Sequence, residues 1–97
     1  MYVYDRLVRV VWDPRKAASN QRKHGIRFSD AEAALFDPLA LTREDIRARG
    51  EQRFVSIGEA SSGRIVVVVY SYRDQAIRMI PARVATSSER KHYAEGI

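Results

Sequence analysis

Side chains able to grip a phosphate or move a proton recur along this chain: Lys23-His24, Glu51-x-Arg53, Arg64, Arg78 and Arg83. Guanidinium groups bind phosphate oxygens bidentately and keep their charge at cellular pH. Glu51 and His24 add one carboxylate and one imidazole. Such a set fits cleavage of RNA without a metal. The ribose 2′-OH attacks the adjacent phosphorus once its proton is removed, and preorganised guanidiniums stabilise the charge of the pentacoordinate state. A general base and a general acid each contribute about 10²–10⁴-fold. Spacing leaves open which of Glu51 and His24 takes the proton. Plainer roles stand beside these. His24 can serve as a helix C-terminal dipole partner, Glu51 with Arg53 as a loop ion pair, and Arg64 as a solvated cation.

The elements that must position these residues follow from pattern. Val8 to Trp12 is β-branched and aromatic and predicts a strand, with Trp12 in the core. Asp13-Pro14 caps and opens a helix that Gly25 stops near Lys23 or His24. That helix is polar. Lys16, Asn20 and Lys23 share one side and Ala17, Gln21 and His24 the neighbouring one. Ser29 to Glu32 predicts a capping box for a second helix with Ala31, Ala34 and Leu35 as its buried stripe, ended by Asp37-Pro38. Residues 39 to 43 read as a strand, and 44 to 52 as a charged loop.

A meander comes next. Arg53–Glu59 is a strand, and Ser61-Ser62-Gly63 turns into Arg64–Tyr72, the valine-rich central strand. Arg73-Asp74-Gln75 turns again into Ala76–Ala82, with Ile77 and Met79 on one face and Arg78 and Ile80 on the other. Pro81 demands an edge, an end or a bulge. Thr86 to Glu89 is a second capping box, and Gly96 closes the last helix. The fold class is α+β in the order β-α-α-β-β-β-β-α, an antiparallel sheet with helices packed on one face. Arg53, Arg64 and Arg78 then sit on neighbouring strands, with Glu51 embedded and Lys23-His24 closing a wall. Tyr70 and Tyr72 offer limited stacking to bases.

Composition agrees with an anionic partner. The 97 residues suit one domain, residues 1–97. Seventeen Lys plus Arg oppose twelve Asp plus Glu, for a formal charge of +5, and the only lysines are Lys16, Lys23 and Lys91. An arginine-heavy basic domain points to nucleic acid first. No cysteine is present, and His24 and His92 lie far apart in the chain. Neither a metal nor another cofactor is expected. The first residues form no signal or membrane-spanning pattern, so a cytoplasmic location is expected.

The series Trp12-Asp13-Pro14, Lys16-Ala17, Asn20, Lys23-His24-Gly25, Phe28, Ala31 and Phe36-Asp37-Pro38 resembles the BrnT toxin family of bacterial toxin–antitoxin operons. Glu51-x-Arg53, Gly58, Arg64, Ile77-Arg78-Met79-Ile80-x-Ala82-Arg83, Glu89 and Tyr93 continue the match, which runs from about Val8 to Tyr93. The resemblance implies a type II toxin: a metal-independent ribonuclease with a RelE-like fold. It implies a BrnA-type antitoxin with a ribbon-helix-helix DNA-binding part, which neutralises the toxin. Together the pair would repress their own operon as a heterotetramer, touching operator DNA only through that complex. Carried over by position, the catalytic residues would be Lys23, His24, Glu51, Arg53, Arg64, Arg78 and Arg83. The first helix would wall the RNA cleft and the second would support it. One departure stands out. The family commonly places a small hydroxyl residue before the Ala-Arg pair, and here Pro81 removes both a hydroxyl and a backbone donor. Residues 1–7 fall outside the match and are expected to form a flexible extension. Two other readings of the basic patch remain, a non-catalytic RNA- or ribosome-binding module and a co-repressor subunit.

Overall fold

The computed structural model describes residues 8–96, and the expected extension at 1–7 lies outside them. The chain runs through β1 (Arg9–Val11), α1 (Pro14–His24), α2 (Phe28–Ala31) continued by a 3₁₀ helix (Glu32–Phe36), β2 (Leu41–Glu44), β3 (Phe54–Glu59), β4 (Ile65–Arg73), β5 (Ala76–Val84) and α3 (Ser87–Glu95). The α+β class and the order of elements are those expected. The strands form one sheet in the order β1-β5-β4-β3-β2. Strands β2 to β5 are antiparallel neighbours. The hairpin between β4 and β5 turns on Asp74 and Gln75, with φ of 52° and 63°, the left-handed pair that matches strand twist.

The edge strand departs from expectation. β1 runs parallel to β5, with Val10 opposite Ile77 and Val11 opposite Arg78. No hairpin joins the two strands, so no turn dictates their relative direction.

One face of the sheet carries the core. Val66, Val68 and Tyr70 of β4 and Ile77, Met79 and Ala82 of β5 meet Ile26, Phe28, Ala31 and Ala34 from the helical layer. Trp12 packs edge-on against Phe28, ring centres 5.8 Å apart. Gly58 of β3 lets the 3₁₀ helix approach closely, since a Cβ there would stand 2.6 Å from the Ala34 carbonyl oxygen.

Each helix is placed by specific polar contacts. Asp13 caps α1 by accepting from the Arg15 amide, Pro14 opens it, and Gly25 ends it at φ 69°. Asn20 shares a helix side with Lys16 and Lys23, and unlike those two it is buried. Its side-chain oxygen accepts from the Ala82 amide at 3.0 Å, and its Nδ2 donates to the carbonyls of Ala82 at 2.8 Å and Ile26 at 3.2 Å. A helix poor in apolar surface thus docks on β5 through one carboxamide. The expected Ser29 cap is absent, because α2 begins at Phe28 with Arg27 in the cap position, two residues before Ser29, and no side chain caps it. Burial of the Phe28 ring sets that start. Asp30 instead accepts from the Ser62 amide and hydroxyl, both at 2.7 Å, tying α2 to the β3–β4 turn.

α3 has the expected capping box between Thr86 and Glu89 but buries no residue in the helical layer. Tyr93 donates from its hydroxyl to Asp37 Oδ2 at 2.5 Å, and Glu59 donates its amide to the same oxygen. The Asp37 carboxylate pushes the Tyr93 hydroxyl up to about 12. Burial favours protonated Asp37, but bonds from Tyr93, Leu39 and Glu59 together hold its pKa below the ordinary value. Glu89 and His92 reach toward the uncovered face of the sheet, so α3 flanks the side opposite α1 and α2.

Candidate active site on the open face of the sheet

The face away from α1 and α2 has a floor of aliphatic side chains. Val55 and Ile57 of β3 and Val67 and Val69 of β4 alternate with the core residues and point the other way. Basic side chains border this floor at both ends. Arg43 on β2 lies opposite Val55 and beside the floor.

Parity along β5 decides which arginines share the face. Arg78 and Arg83 are an odd number of residues apart, so a regular strand would send them to opposite sides. The ladder pairs Met79 with Tyr70 and Ala82 with Val68, which leaves Ile80 and Pro81 both opposite Val69. This is a bulge with one extra residue on β5. It restores the phase and brings both arginines to the open face. Pro81, which lacks an amide proton, occupies the position where the ladder needs none.

At one end stands Glu51. Its carboxylate binds Arg78 closely, lies 3.4 Å from Arg73 Nη2 and 3.9 Å from Arg53 Nε. Ser71 lies between Arg53 and Arg78 in the sheet, since it pairs with Arg78 and Tyr70 pairs with Phe54. Ser71 is 1 % exposed. Its hydroxyl and the Nε groups of Arg53 and Arg78 are buried without a hydrogen-bond partner.

At the other end stands Arg83, opposite Val67. Its fork donates to both oxygens of Glu89 at 2.7 and 2.8 Å. Hydrogen bonding from Arg83, assisted by the Thr86 amide against the cost of burial, brings the Glu89 carboxyl down to about 2. The same bond raises the pKa of Arg83. His24, from the last turn of α1, lines a groove with Arg43, Val55, Val67, Val69, Pro81 and Arg83. His92 of α3 lines its continuation, which shares Arg43, Val55, Val67 and Arg83. His24 and His92 therefore line adjoining stretches of one groove that share two guanidiniums, Arg43 and Arg83. Arg83 and Arg78 pair with residues four apart on β4, a separation of about 13 Å along the strand.

Of the sequence-derived candidates, Glu51, Arg53 and Arg78 converge at one end, and His24 meets Arg83 at the other. Lys23 is exposed beside His24 and does not line the groove. Arg64 does not join either group. It precedes β4 and turns toward the helical layer, with Nη2 3.4 Å from the Gly25 carbonyl and 3.7 Å from Asp30. The expected row of Arg53, Arg64 and Arg78 fails because Arg64 shares the parity of Val66, on the covered face. Tyr70 and Tyr72 also lie on that face, clustered with Phe54 at ring-centre distances of 5.5 to 6.0 Å.

Sequence reasoning passed over Arg43, Ser71, Arg73 and His92 as site residues. Ser71 carried a signal: a lone hydroxyl in phase with Val67 and Val69, two residues before an arginine. His92 carried none, since only the placement of α3 brings it to the floor. Among the described residues no group of three or more His, Cys, Asp or Glu side chains is arranged to hold a metal ion. None of the helices described is long and apolar enough to cross a membrane.

The fold has a counterpart among known proteins. Residues 12–89 match the family model described as the ribonuclease toxin BrnT of type II toxin–antitoxin systems. The chain belongs to that family, and a protein antitoxin is its family partner. A solved structure, the ribonuclease toxin BrnT of Brucella abortus, superposes with a TM-score of 0.64 at 23% identity, covering 82% of this chain and 99% of that one. It shows the same fold. No curated protein matches the sequence.

Proposed function

We propose that this chain is a type II toxin that cleaves RNA without a metal, on the open face of its sheet. The observation that carries the reading is the pair of histidines, His24 and His92, lining adjoining stretches of one groove with Arg43 and Arg83. A neutral imidazole takes the 2′-OH proton as the 2′-oxygen bonds to phosphorus. The bond to the 5′-oxygen breaks, and that oxygen takes a proton from the second, charged imidazole. The products are a 2′,3′-cyclic phosphate and a 5′-hydroxyl end. His24 is the better placed proton acceptor of the two sequence candidates, since Glu51 is engaged by three guanidiniums. Arg43 and Arg83 face the charge that develops on phosphorus, with Glu89 fixing the fork of Arg83. Lys23 steers the strand toward the groove. Arg64 serves the helical layer instead.

The partner we propose is a BrnA-type antitoxin with a ribbon-helix-helix part, in a heterotetramer that represses its own operon and reaches operator DNA through the antitoxin. Expression without the antitoxin then arrests growth. Incubation of purified toxin with RNA in EDTA tests the chemistry: fragments ending in cyclic phosphate are expected. Intact RNA after long incubation, with the toxin folded, overturns the reading in favour of a binding module.

A further inference from the structure

We infer that Arg53, Ser71 and Arg78 form a second phosphate subsite for a nucleic-acid backbone, closed in the free chain by the carboxylate of Glu51. That the phosphate belongs to RNA rests on the function proposed above; the anion site itself does not.

Buried polar atoms are nearly always paired. Here three buried donors lack an acceptor: the Ser71 hydroxyl and the Nε–H groups of Arg53 and Arg78. They come from β4, from β5 and from the residue just before β3, at one level of the sheet and on one face. Unpaired donors that converge on one side of the sheet suit an acceptor from outside the chain. Charge points the same way. Arg53, Arg73 and Arg78 surround one carboxylate, so two positive charges are in excess. Glu51 takes one η nitrogen each from Arg73 and Arg78 and leaves the Nε–H groups unmet. A phosphodiester carries the same single charge as Glu51 and offers two free oxygens suited to a guanidinium fork. Exchanging one for the other leaves the local charge unchanged and supplies the missing acceptors. Glu51 sits in the loop between β2 and β3, outside the ladder, so its departure breaks no strand pairing. The site lies about 13 Å along β4 from the level of Arg83, far enough to hold a phosphate other than the scissile one.

The test follows the side-chain Nε–H resonances of Arg53 and Arg78 in the full chain at low salt. One arm adds inorganic phosphate; the other adds a short thymidine oligodeoxynucleotide, which has no 2′-OH and is not cleaved. Both probes are expected to shift these two resonances. Glu51→Gln should tighten oligonucleotide binding by about tenfold, since a competing charge is gone. Ser71→Ala should weaken it by about threefold, the effect of one hydrogen bond. Resonances that stay fixed in both arms overturn the subsite, as does weaker binding by Glu51→Gln with its fold intact. A response to inorganic phosphate alone overturns the assignment to a nucleic-acid backbone. Because neither probe is cleaved, absence of nuclease activity would leave these outcomes readable and would strike only the catalytic proposal.

Discussion

Arg83 meets Glu89 one to one, with both carboxylate oxygens taken by its fork, whereas Arg53, Arg73 and Arg78 divide the single carboxylate of Glu51. The first arrangement is neutral and geometrically satisfied. The second is short of acceptors and carries surplus charge. The difference separates two jobs on one face. A guanidinium fixed by its own carboxylate is a positioned wall, placed beside imidazoles that move protons. A cluster short of negative charge is a grip, poised for an anion from outside.

His24→Ala breaks the comparison hardest. It should lower kcat for RNA cleavage by about 10²–10⁴-fold and leave oligodeoxynucleotide affinity nearly unchanged, as read by single-turnover kinetics and anisotropy. Asn20→Ala acts on the same end from below. It strands the Ala82 amide and carbonyl in a buried setting and should cost about 2–4 kcal/mol in chemical denaturation, freeing α1 and with it His24. Arg78→Ala tests the other end. It should raise KM about tenfold, reduce the salt dependence of binding by about one phosphate contact, and change kcat less than KM. A fall in kcat alone would merge the two ends into one catalytic centre.

The Glu89 pair responds to acid. Its carboxyl titrates at about 2 in the folded chain against an ordinary 4.5. Its contribution is therefore complete above pH 4.5 and is lost as pH falls toward 2. Thermal melts across that window should show a decline that Glu89→Gln flattens. Ser71→Ala has the smallest effect on the fold. Removing an unpartnered buried hydroxyl leaves the melting temperature unchanged or slightly higher, while anion binding weakens. Opposite signs for stability and binding at a single position would sharpen the distinction most.

Much of the scaffold was legible in the residues. Alternation in β3, β4 and β5, the Asp13-Pro14 start, the Gly25 stop and the Thr86–Glu89 box are local signals, and local structure obeys them. The site was legible in part, for reasons of phase. The kinship of Arg78 with Arg83 depends on a bulge whose position only pairing defines, although Pro81 announced that one was possible. Arg64 sits one residue outside a strand, where parity sends it to the covered side. Asn20 looked like one more polar residue on a polar helix. Its burial depends on an unpaired stretch of β5 far away in the chain, which no helical pattern reveals. His92 owes its place to the packing of α3 beside β3, a contact between distant parts of the chain.

Asn20 has a bearing on how other chains meet this one. Beyond Arg78, where β1 stops, its carboxamide consumes the donor and acceptor that Ala82 would offer to an incoming strand. The margin of β5 is thereby sealed against strand addition, by an ordinary side chain posing as a neighbour's peptide group. A partner that joins this sheet by backbone pairing is left the outer sides of β1 and β2, the latter directly beside Arg43 and the groove.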